Sequence, residues 1–241
     1  MSRFYVPREY ISAGRVTIKG DELHHARDVM RIAAGDDIAV FDGSGKEYHG
    51  TVEEVGRREM SVKIVRTVEV EEPGCFLTLV QALPKSDKMD LIVEKATELG
   101  AGRIIPVITE RTVVRPGNSG GNKLGRWRKI AVVASKQSGR IKVPDIDGIF
   151  DLSRAIESVS GDEIKIIPCL YEGAEQIKKV VGGRKARSAA ALIGPEGDFT
   201  PEEVKTAKKA GFIPVSLGRE VLRSETAAIS VISVLSYELN W

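Results

Sequence analysis

The sequence has few cysteines and lacks the patterns that go with metal sites and membranes. Its 241 residues include two cysteines, Cys75 and Cys169, which stand far apart and belong to no CxxC or Cys/His pair. This spacing excludes a structural zinc site of the usual kind and favours small buried side chains. No apolar run approaches the roughly 20 residues that a membrane-spanning helix needs, and residues 1–7 show no signal-peptide pattern. We therefore expect no metal, no membrane segment and a cytoplasmic setting.

The chain also has no large excess of positive or negative charge. The formal net charge is +2, which is too small to indicate a nucleic-acid partner by itself. Hydrophobic residues make up 42% and charged residues 29% of the chain, a composition that excludes a disordered protein and allows a buried core. A surface that binds nucleic acid would have to come from local clusters of lysine and arginine.

The N-terminal part of the chain is rich in strand patterns. Strands are predicted at 15–18, 37–41, 47–55 and 60–68, and one helix from about 22 to 31. Turn signals such as Asp42-Gly43-Ser44-Gly45 separate the strands. Several short strands with one helix are typical of a small barrel. The segment 69–74 has the composition of a linker, so we predict a first domain over residues 1–72.

Beyond residue 76, apolar runs of strand length alternate with helical patterns. The predicted strands are 76–83, 103–108, 164–171, 189–193 and 212–217, and the predicted helices are 88–99, 124–137, 174–181, 201–210 and 224–239. Strict alternation of strand and helix predicts an α/β domain on a mostly parallel sheet, over residues 73–241.

Two glycine-containing loops near the C-terminus form the most informative pair. The first, Gly194-Pro195-Glu196-Gly197-Asp198-Phe199-Thr200, and the second, Leu217 to Ala227, each follow a predicted buried strand and open a helix. Ligands of open α/β sheets bind beyond the carboxyl ends of strands, and glycine lets the backbone approach them closely. Neither loop is a P-loop or a GxGxxG motif. Each loop alone is equally compatible with a tight turn that binds nothing.

Arg223 occupies an unusual position in the second loop. It directly precedes a helix that Ser224 can cap, and a cation is electrostatically unfavourable at a helix N-terminus. This position indicates a functional reason for the arginine. The alternative is an exposed arginine that pairs with Glu220 or Glu225.

The two loops together resemble a known family. The segments IGPEGDFTPEE (193–203) and SLGREVLRSETAAI (216–229) are similar to those of the RsmE family of 16S rRNA (uracil N3)-methyltransferases, in the SPOUT superfamily. The resemblance extends to 81–85, 90–100, 109–113, 137–140 and the His24-His25 region, which covers nearly the whole chain. Asp198 departs from the pattern, because a second glycine is more common there, and Lys136 replaces a residue that is commonly acidic.

The resemblance implies a SPOUT-type parallel sheet with a C-terminal trefoil knot, preceded by a small PUA-like β-barrel domain. It implies a homodimer that binds S-adenosylmethionine and acts on 16S rRNA of the small ribosomal subunit, with no metal. The cofactor-binding residues that it implies are Leu170, Tyr171, Gly194, Pro195, Glu196, Gly197, Leu217, Gly218, Leu222, Thr226 and Ala227.

The reaction needs the uridine N3 proton to leave, since N3 is a weak nucleophile until then. Arg223 is the candidate cation that would stabilise the uridinate, because an arginine stays protonated and offers a rigid donor fork. Glu225 is the candidate catalytic carboxylate, and Glu196 is a further candidate base. Positive charge should hold RNA phosphates. The predicted RNA contacts are Arg3, Arg8, Arg27, Arg31, Arg111 and Arg140.

Two other functions fit the same residues. One is a SPOUT methyltransferase that acts on another RNA, and the other is a non-catalytic RNA-binding or ribosome assembly protein that has kept the fold. Binding of S-adenosylmethionine would distinguish the non-catalytic protein from either methyltransferase.

Overall fold

The computed structural model describes residues 1–69, 74–85, 87–113, 120–170 and 173–240. The chain forms two compact units, Met1–Glu72 with Ser135–Val143, and Pro73–Ala134 with Pro144–Trp241. The predicted boundaries assign 135–143 to the second domain, whereas the structure groups this segment with the first unit. The reason is hydrogen bonding, since the Val143 N–H donates to the Gly43 carbonyl at 3.1 Å and Arg3 Nη1 to the Ser135 carbonyl at 3.1 Å. Within the described ranges, no helix is long and apolar enough to cross a membrane.

The first unit is built on one sheet. Its elements are β1 (Ser2–Tyr5), β2 (Ile11–Ser12), β3 (Arg15–Lys19), α1 (Gly20–His24), β4 (Asp37–Phe41), β5 (Lys46–Val55) and β6 (Glu59–Glu69). A short 3₁₀ turn lies at Arg8–Tyr10, and a π-helical turn at His25–Val29 continues α1. In the described part of this unit six strands pair in the order β1-β4-β5-β6-β3-β2. The β1–β4 pair is parallel and the others are antiparallel.

Alternation of apolar and polar residues explains this sheet. Val16 and Ile18 on β3 are buried, and so are Met60 and Val62 on the neighbouring β6. Side chains two apart on a strand share one face, so these residues form the core side of the sheet. The predicted strands of this region are confirmed within a residue or so. Strand β1 was not predicted, because four residues carry too short a pattern.

The second unit alternates strands and helices along the chain. Its elements are β7 (Phe76–Ala82), α2 (Lys88–Glu98), β8 (Arg103–Ile108), α3 (Gly120–Ser138), β9 (Asp145–Ile146), β10 (Phe150–Asp151), α4 (Leu152–Ser158), β11 (Ile164–Pro168), β12 (Glu175–Gln176), α5 (Ile177–Val181), β13 (Ser188–Ile193), α6 (Pro201–Lys209), β14 (Ile213–Ser216) and α7 (Ser224–Asn240). The last residues of α3 belong to the first unit. The described strands pair in the order β10-β8-β7-β13-β11-β14-β12, with β9 also beside β8.

The predicted α/β fold on a parallel sheet is confirmed, since every strand pair of the second unit is parallel. The central strand β13 is buried from Ala189 to Ile193, as expected of a strand covered on both faces. Helix α6 begins as the sequence predicts, with Pro201 in its first turn and a capping box between Thr200 and Glu203.

Strand β11 ends three residues earlier than predicted. It ends at Pro168, and the Cys169 N–H then donates to the Val215 carbonyl at 3.3 Å as the chain leaves the sheet. Helix α5 begins at Ile177 rather than 174, because Glu175 and Gln176 pair with β14 as a short strand.

Candidate active site

A cavity of about 270 Å³ lies beyond the carboxyl ends of β11, β13 and β14. These three strands are parallel neighbours in the sheet, so their carboxyl ends meet at one edge. The cavity is lined by Pro168, Cys169, Leu170, Ile193, Gly194, Pro195, Glu196, Asp198, Val215, Ser216, Leu217, Gly218, Glu220, Val221, Leu222, Arg223, Ser224 and Ala227. Strand-exit backbone and apolar side chains dominate this lining, which suits a flat aromatic ligand with polar edges.

Two of the lining residues are glycines, and the local geometry requires both. Gly218 has a φ of +151°, a conformation that side chains with a Cβ rarely adopt, and no atom lies within 4 Å of where a Cβ would be. A Cβ on Gly194 would lie 3.1 Å from Asp198 Oδ1 and 3.2 Å from the Phe199 ring. Gly218 therefore keeps space open at the cavity wall, and Gly194 lets the first loop fold back on itself.

A buried hydrogen-bond chain connects the two glycine loops. Gln81 Nε2, at the end of β7, donates to Ser224 Oγ at 3.0 Å, and the Ser224 hydroxyl donates to the Gly194 carbonyl at 2.6 Å. All three residues are buried. Ser224 is also the first residue of α7, so this chain fixes the residue that follows Arg223.

A single ammonium group connects the first loop to the start of α7. Lys88 Nζ lies 3.2 Å from Glu196 Oε1 and 3.2 Å from Glu225 Oε2, and these two carboxylates raise the pKa of Lys88. Burial raises the pKa of Glu196, but hydrogen bonds from its own N–H and from the Lys85 N–H, together with Lys88, bring that pKa below its ordinary value. Glu196 is therefore a carboxylate at neutral pH.

The structure brings most of the predicted cofactor residues together in this cavity. They are Leu170, Gly194, Pro195, Glu196, Leu217, Gly218, Leu222 and Ala227, and the exposed Arg223 joins them at the wall. Tyr171 lies outside the described residues. That these residues bind a cofactor stays a prediction, and the shared wall is the observation that favours it.

Three predicted residues do not belong to the described lining of the cavity. Gly197 instead accepts a hydrogen bond from Arg111 Nη1 at 2.7 Å through its carbonyl oxygen. Thr226 is exposed in the first turn of α7. Glu225 has a side chain that is 13% exposed and faces Lys88.

The predicted RNA-contacting arginines fall into different environments. Arg8 and Arg31 are exposed in the first unit. Arg27 is half-buried and forms an ion pair with Asp28 at 2.7 Å. Arg111 belongs to the second unit, where its side chain packs on Gly197 and donates to that residue's carbonyl. An RNA-binding role for each of these arginines stays a prediction.

Arg3 and Arg140 have partners inside the first unit. Arg3 forms an ion pair with Glu47 at 2.7 Å, donates to the Ser135 and Arg140 carbonyls, and lies 4.3 Å from the centre of the Phe41 ring. Burial lowers the pKa of Arg140 to about 10. Arg3 therefore holds the segment 135–143 on the sheet, and RNA contacts by Arg3 and Arg140 stay predictions.

Several residues of the site were not predicted. Lys88, Gln81 and the strand-end residues Pro168 and Val215 belong to this group. The strand-end residues follow from the rule that ligands lie beyond carboxyl ends, once the exact strand ends are known. No sequence pattern indicates the Lys88 contacts, because Lys88 is more than 100 residues away from both of its partners along the chain.

Fold and site together define an α/β protein that holds a small ligand at the edge of a parallel sheet. Comparison with known proteins specifies the class. Residues 71–236 match the family described as RNA methyltransferase domain, and residues 18–65 match RNA methyltransferase PUA domain. The second match confirms the expected PUA-like character of the N-terminal unit.

The chain is 33% identical to the ribosomal RNA small subunit methyltransferase E of Mycobacterium bovis, over 93% of this chain and 87% of that protein. The protein of the same name from Bacillus subtilis is 30% identical, over 99% of this chain and 97% of the relative. This chain belongs to the ribosomal RNA small subunit methyltransferase E family.

Solved structures agree with this assignment. The ribosomal RNA small subunit methyltransferase E from Neisseria gonorrhoeae, bound to S-adenosyl methionine, is 30% identical with a TM-score of 0.85, over 99% of this chain and 98% of that one. A methyltransferase from Legionella pneumophila in complex with the cofactor SAM is 31% identical with a TM-score of 0.86, over 98% and 96% of the two chains.

Proposed function

We propose that this chain transfers a methyl group from S-adenosylmethionine to N3 of a uridine in 16S rRNA of the small ribosomal subunit. The observation that carries the proposal is the cavity at the carboxyl ends of β11, β13 and β14, with Arg223 at its wall. Relatives that match over almost the whole chain are named ribosomal RNA small subunit methyltransferase E, a name that supports the ribosomal substrate, and related structures hold the cofactor.

The cavity fits S-adenosylmethionine by its chemistry. Apolar side chains such as Leu170, Leu217 and Leu222 can pack on the adenine faces, while strand-exit peptide groups can bond to its polar edge. Gly218 leaves open space where any other residue would place a Cβ. When bound, the cofactor supplies a methyl group on a positively charged sulfur.

Arg223 is the proposed catalytic residue. Loss of the N3 proton places negative charge on the uridine ring and its O2 and O4 oxygens. A guanidinium at the cavity wall can donate to these oxygens and stabilise that charge as it develops. The buried Ser224 next to it limits how far Arg223 can move, because Ser224 is bonded to both Gln81 and Gly194.

Glu225 and Glu196 take a supporting role in this proposal. Each is paired with Lys88, and Glu225 lies behind the described cavity lining. A carboxylate held by a lysine is a weaker base than a free one. We therefore propose that the two glutamates fix Lys88, the first loop and the start of α7, and that Arg223 carries the larger share of the catalysis.

The rest of the assignment concerns RNA, assembly and cellular setting. We propose residues 1–72 as the RNA-binding domain, with Arg8, Arg27 and Arg31 as phosphate contacts, and residues 73–241 as the methyltransferase domain. A cytoplasmic setting follows from a ribosomal substrate. A homodimer is part of the proposal by resemblance to the SPOUT superfamily.

A trefoil knot at the C-terminus is likewise proposed. The strand order supports it, since β14 lies between β11 and β12, which both precede it along the chain. The segment from β14 to the start of α7 must therefore pass between β11 and β12, which precede it along the chain. The loops that follow β11, β13 and β14 then lie at one edge of the sheet, where together they can surround a bent S-adenosylmethionine.

Two measurements on the purified chain test this function. Calorimetric titration with S-adenosylmethionine comes first, and transfer of labelled methyl groups to isolated small and large ribosomal subunits comes second. The subunits must lack their own modification, so that the target nitrogen is free to accept a methyl group. We expect binding, with label in small-subunit RNA alone. Binding with no transfer to ribosomal RNA would contradict the substrate and favour another RNA. Absence of binding would contradict the enzyme and favour the non-catalytic function.

A further inference from the structure

Asp198 has a backbone conformation that favours glycine. Its φ is +58°, in the left-handed region, and it is one of the few residues with a Cβ found there. Glycine needs no compensation for a left-handed φ, because it has no Cβ. A side chain at such a position calls for a contact that stabilises it, and Asp198 also lines the cavity.

The Asp198 carboxylate joins two loops of the cavity. Its Oδ2 accepts a hydrogen bond from the Leu170 N–H at 3.1 Å, and its Oδ1 accepts one from the Phe199 N–H at 2.8 Å. Leu170 follows β11, whereas Phe199 lies in the loop that follows β13. Hydrogen bonds to an ionised acceptor are about twice as strong as neutral ones, so a single side chain connects adjacent walls of the cavity.

The contact matters most for Leu170. Leu170 is 72% exposed, so packing contributes little to its position. The neighbouring Gly194 has no side chain, and a Cβ there would lie 3.1 Å from Asp198 Oδ1. The carboxylate thus fills the space beside Gly194 and reaches from there to the Leu170 amide.

We propose that Asp198 is a positioning residue which holds the loop after β11 on the loop after β13 and so preforms the cofactor-binding wall. The inference rests on the proposed function, because it concerns the wall that would receive S-adenosylmethionine. The carboxylate cross-link between the loops accompanies the left-handed backbone of Asp198.

The test compares three variants. Asp198→Gly keeps the left-handed backbone without strain and removes the cross-link. Asp198→Asn keeps one oxygen acceptor, so it satisfies one of the two donors. Glu202→Gln, on the exposed face of α6, is the matched control for loss of a carboxylate. The readouts are amide hydrogen exchange at Leu170 without ligand, thermal stability, and dissociation constants for S-adenosylmethionine and for its product S-adenosylhomocysteine, whose sulfur carries no charge.

Faster exchange at Leu170 and about tenfold weaker binding of both ligands are expected for Asp198→Gly, with little change in thermal stability. Asp198→Asn should fall between this variant and the wild type, and it serves as the test should the glycine variant fold poorly. The control should match the wild type in exchange at Leu170 and in both dissociation constants.

Three results would overturn the inference. These are unchanged exchange at Leu170, unchanged affinity for both ligands, and a loss confined to S-adenosylmethionine. The last result would assign the carboxylate a direct attraction to the positive sulfur instead of a positioning role. If the wild-type chain binds neither ligand, the proposed function itself is contradicted. The wild-type measurement therefore distinguishes failure of the proposed function from failure of the Asp198 inference.

Discussion

The hydroxyl of Ser224 donates a hydrogen bond to the carbonyl oxygen of Gly194 over 2.6 Å. This bond joins the two glycine loops, which are separated by the whole of α6 and β14 along the chain. Gln81 holds the Ser224 oxygen from the other side at 3.0 Å. The cavity wall and the start of α7 are therefore one connected unit, and Arg223 lies at their junction.

Ser224→Ala should destabilise the protein. The substitution leaves the buried Gly194 carbonyl and a Gln81 N–H without this partner, a change that costs about 1–3 kcal/mol. Urea denaturation of the ligand-free protein measures it, with Ser233→Ala on the exposed face of α7 as the control. Equal stability of the two variants would show that the hydrogen-bond chain contributes nothing.

Gly194→Ala should weaken binding of S-adenosylmethionine by about tenfold or more, because a loop shift of a few tenths of an ångström misplaces several contacts. Its Cβ would press on Asp198 and Phe199, so the loop must move. Gly125→Ala is the control, since Gly125 lies in α3 with open space around it. That variant should bind normally and gain up to about 1 kcal/mol of stability. Calorimetric titration with S-adenosylmethionine measures both affinities. Equal affinities for Gly194→Ala and Gly125→Ala would contradict the assignment of Gly194 to the cofactor-binding wall.

Lys88→Gln should lower the thermal midpoint at neutral pH, because Glu196 and Glu225 lose their shared cation. The pKa of Glu196 is lowered in the folded state, so its stabilising contribution is present above its ordinary value of 4.5 and is lost as pH falls through the lowered pKa. The pKa of Lys88 is raised, so its contribution is present below 10.5 and is lost as pH rises through the raised pKa.

The stability difference between wild type and Lys88→Gln should therefore be largest between these two limits and vanish on the acid side. Thermal melts across pH measure it, with the exposed Lys129→Gln of α3 as the control. A difference that does not change from neutral to strongly acid pH would show that the ion pairs are not its cause.

Arg223→Ala should leave the dissociation constant for S-adenosylmethionine within a few-fold and reduce methyl transfer by 10²-fold or more, about the effect of removing one donor that stabilises developing charge. Arg219→Ala removes an exposed arginine of the same loop outside the described lining, and it is the control for the loss of one positive charge. Single-turnover transfer measures both. Near-normal turnover by Arg223→Ala would contradict the catalytic role proposed for Arg223.

Long periodic segments were predicted well from sequence. Helix α2 follows from the spacing of Met89, Ile92, Val93 and Ala96, all of which are buried. The start of α6 follows from Thr200 and its capping box. In both cases the interactions that decide the structure join residues a few positions apart, so a local pattern contains them.

Helix α4 was not predicted from the sequence. It begins at an Asp151 cap but spans only Leu152–Ser158, which is too short for a clear period.

Contacts between distant segments could not be predicted either. Gly194 was expected to leave room for a ligand, whereas its Cβ direction points at Asp198 and Phe199. The Asp198 bond to Leu170 depends on β11 and β13 being neighbours, which the sequence does not state.

Nucleoside analysis of the product decides whether this chain methylates N3 of a uridine in 16S rRNA. The purified chain is incubated with methyl-labelled S-adenosylmethionine and small ribosomal subunits that lack their own modification, and the digested RNA is analysed by mass spectrometry. We expect labelled 3-methyluridine from 16S rRNA, and its loss with Arg223→Ala. Label in 5-methyluridine, in a ribose-methylated nucleotide or in any other base would contradict transfer to uridine N3.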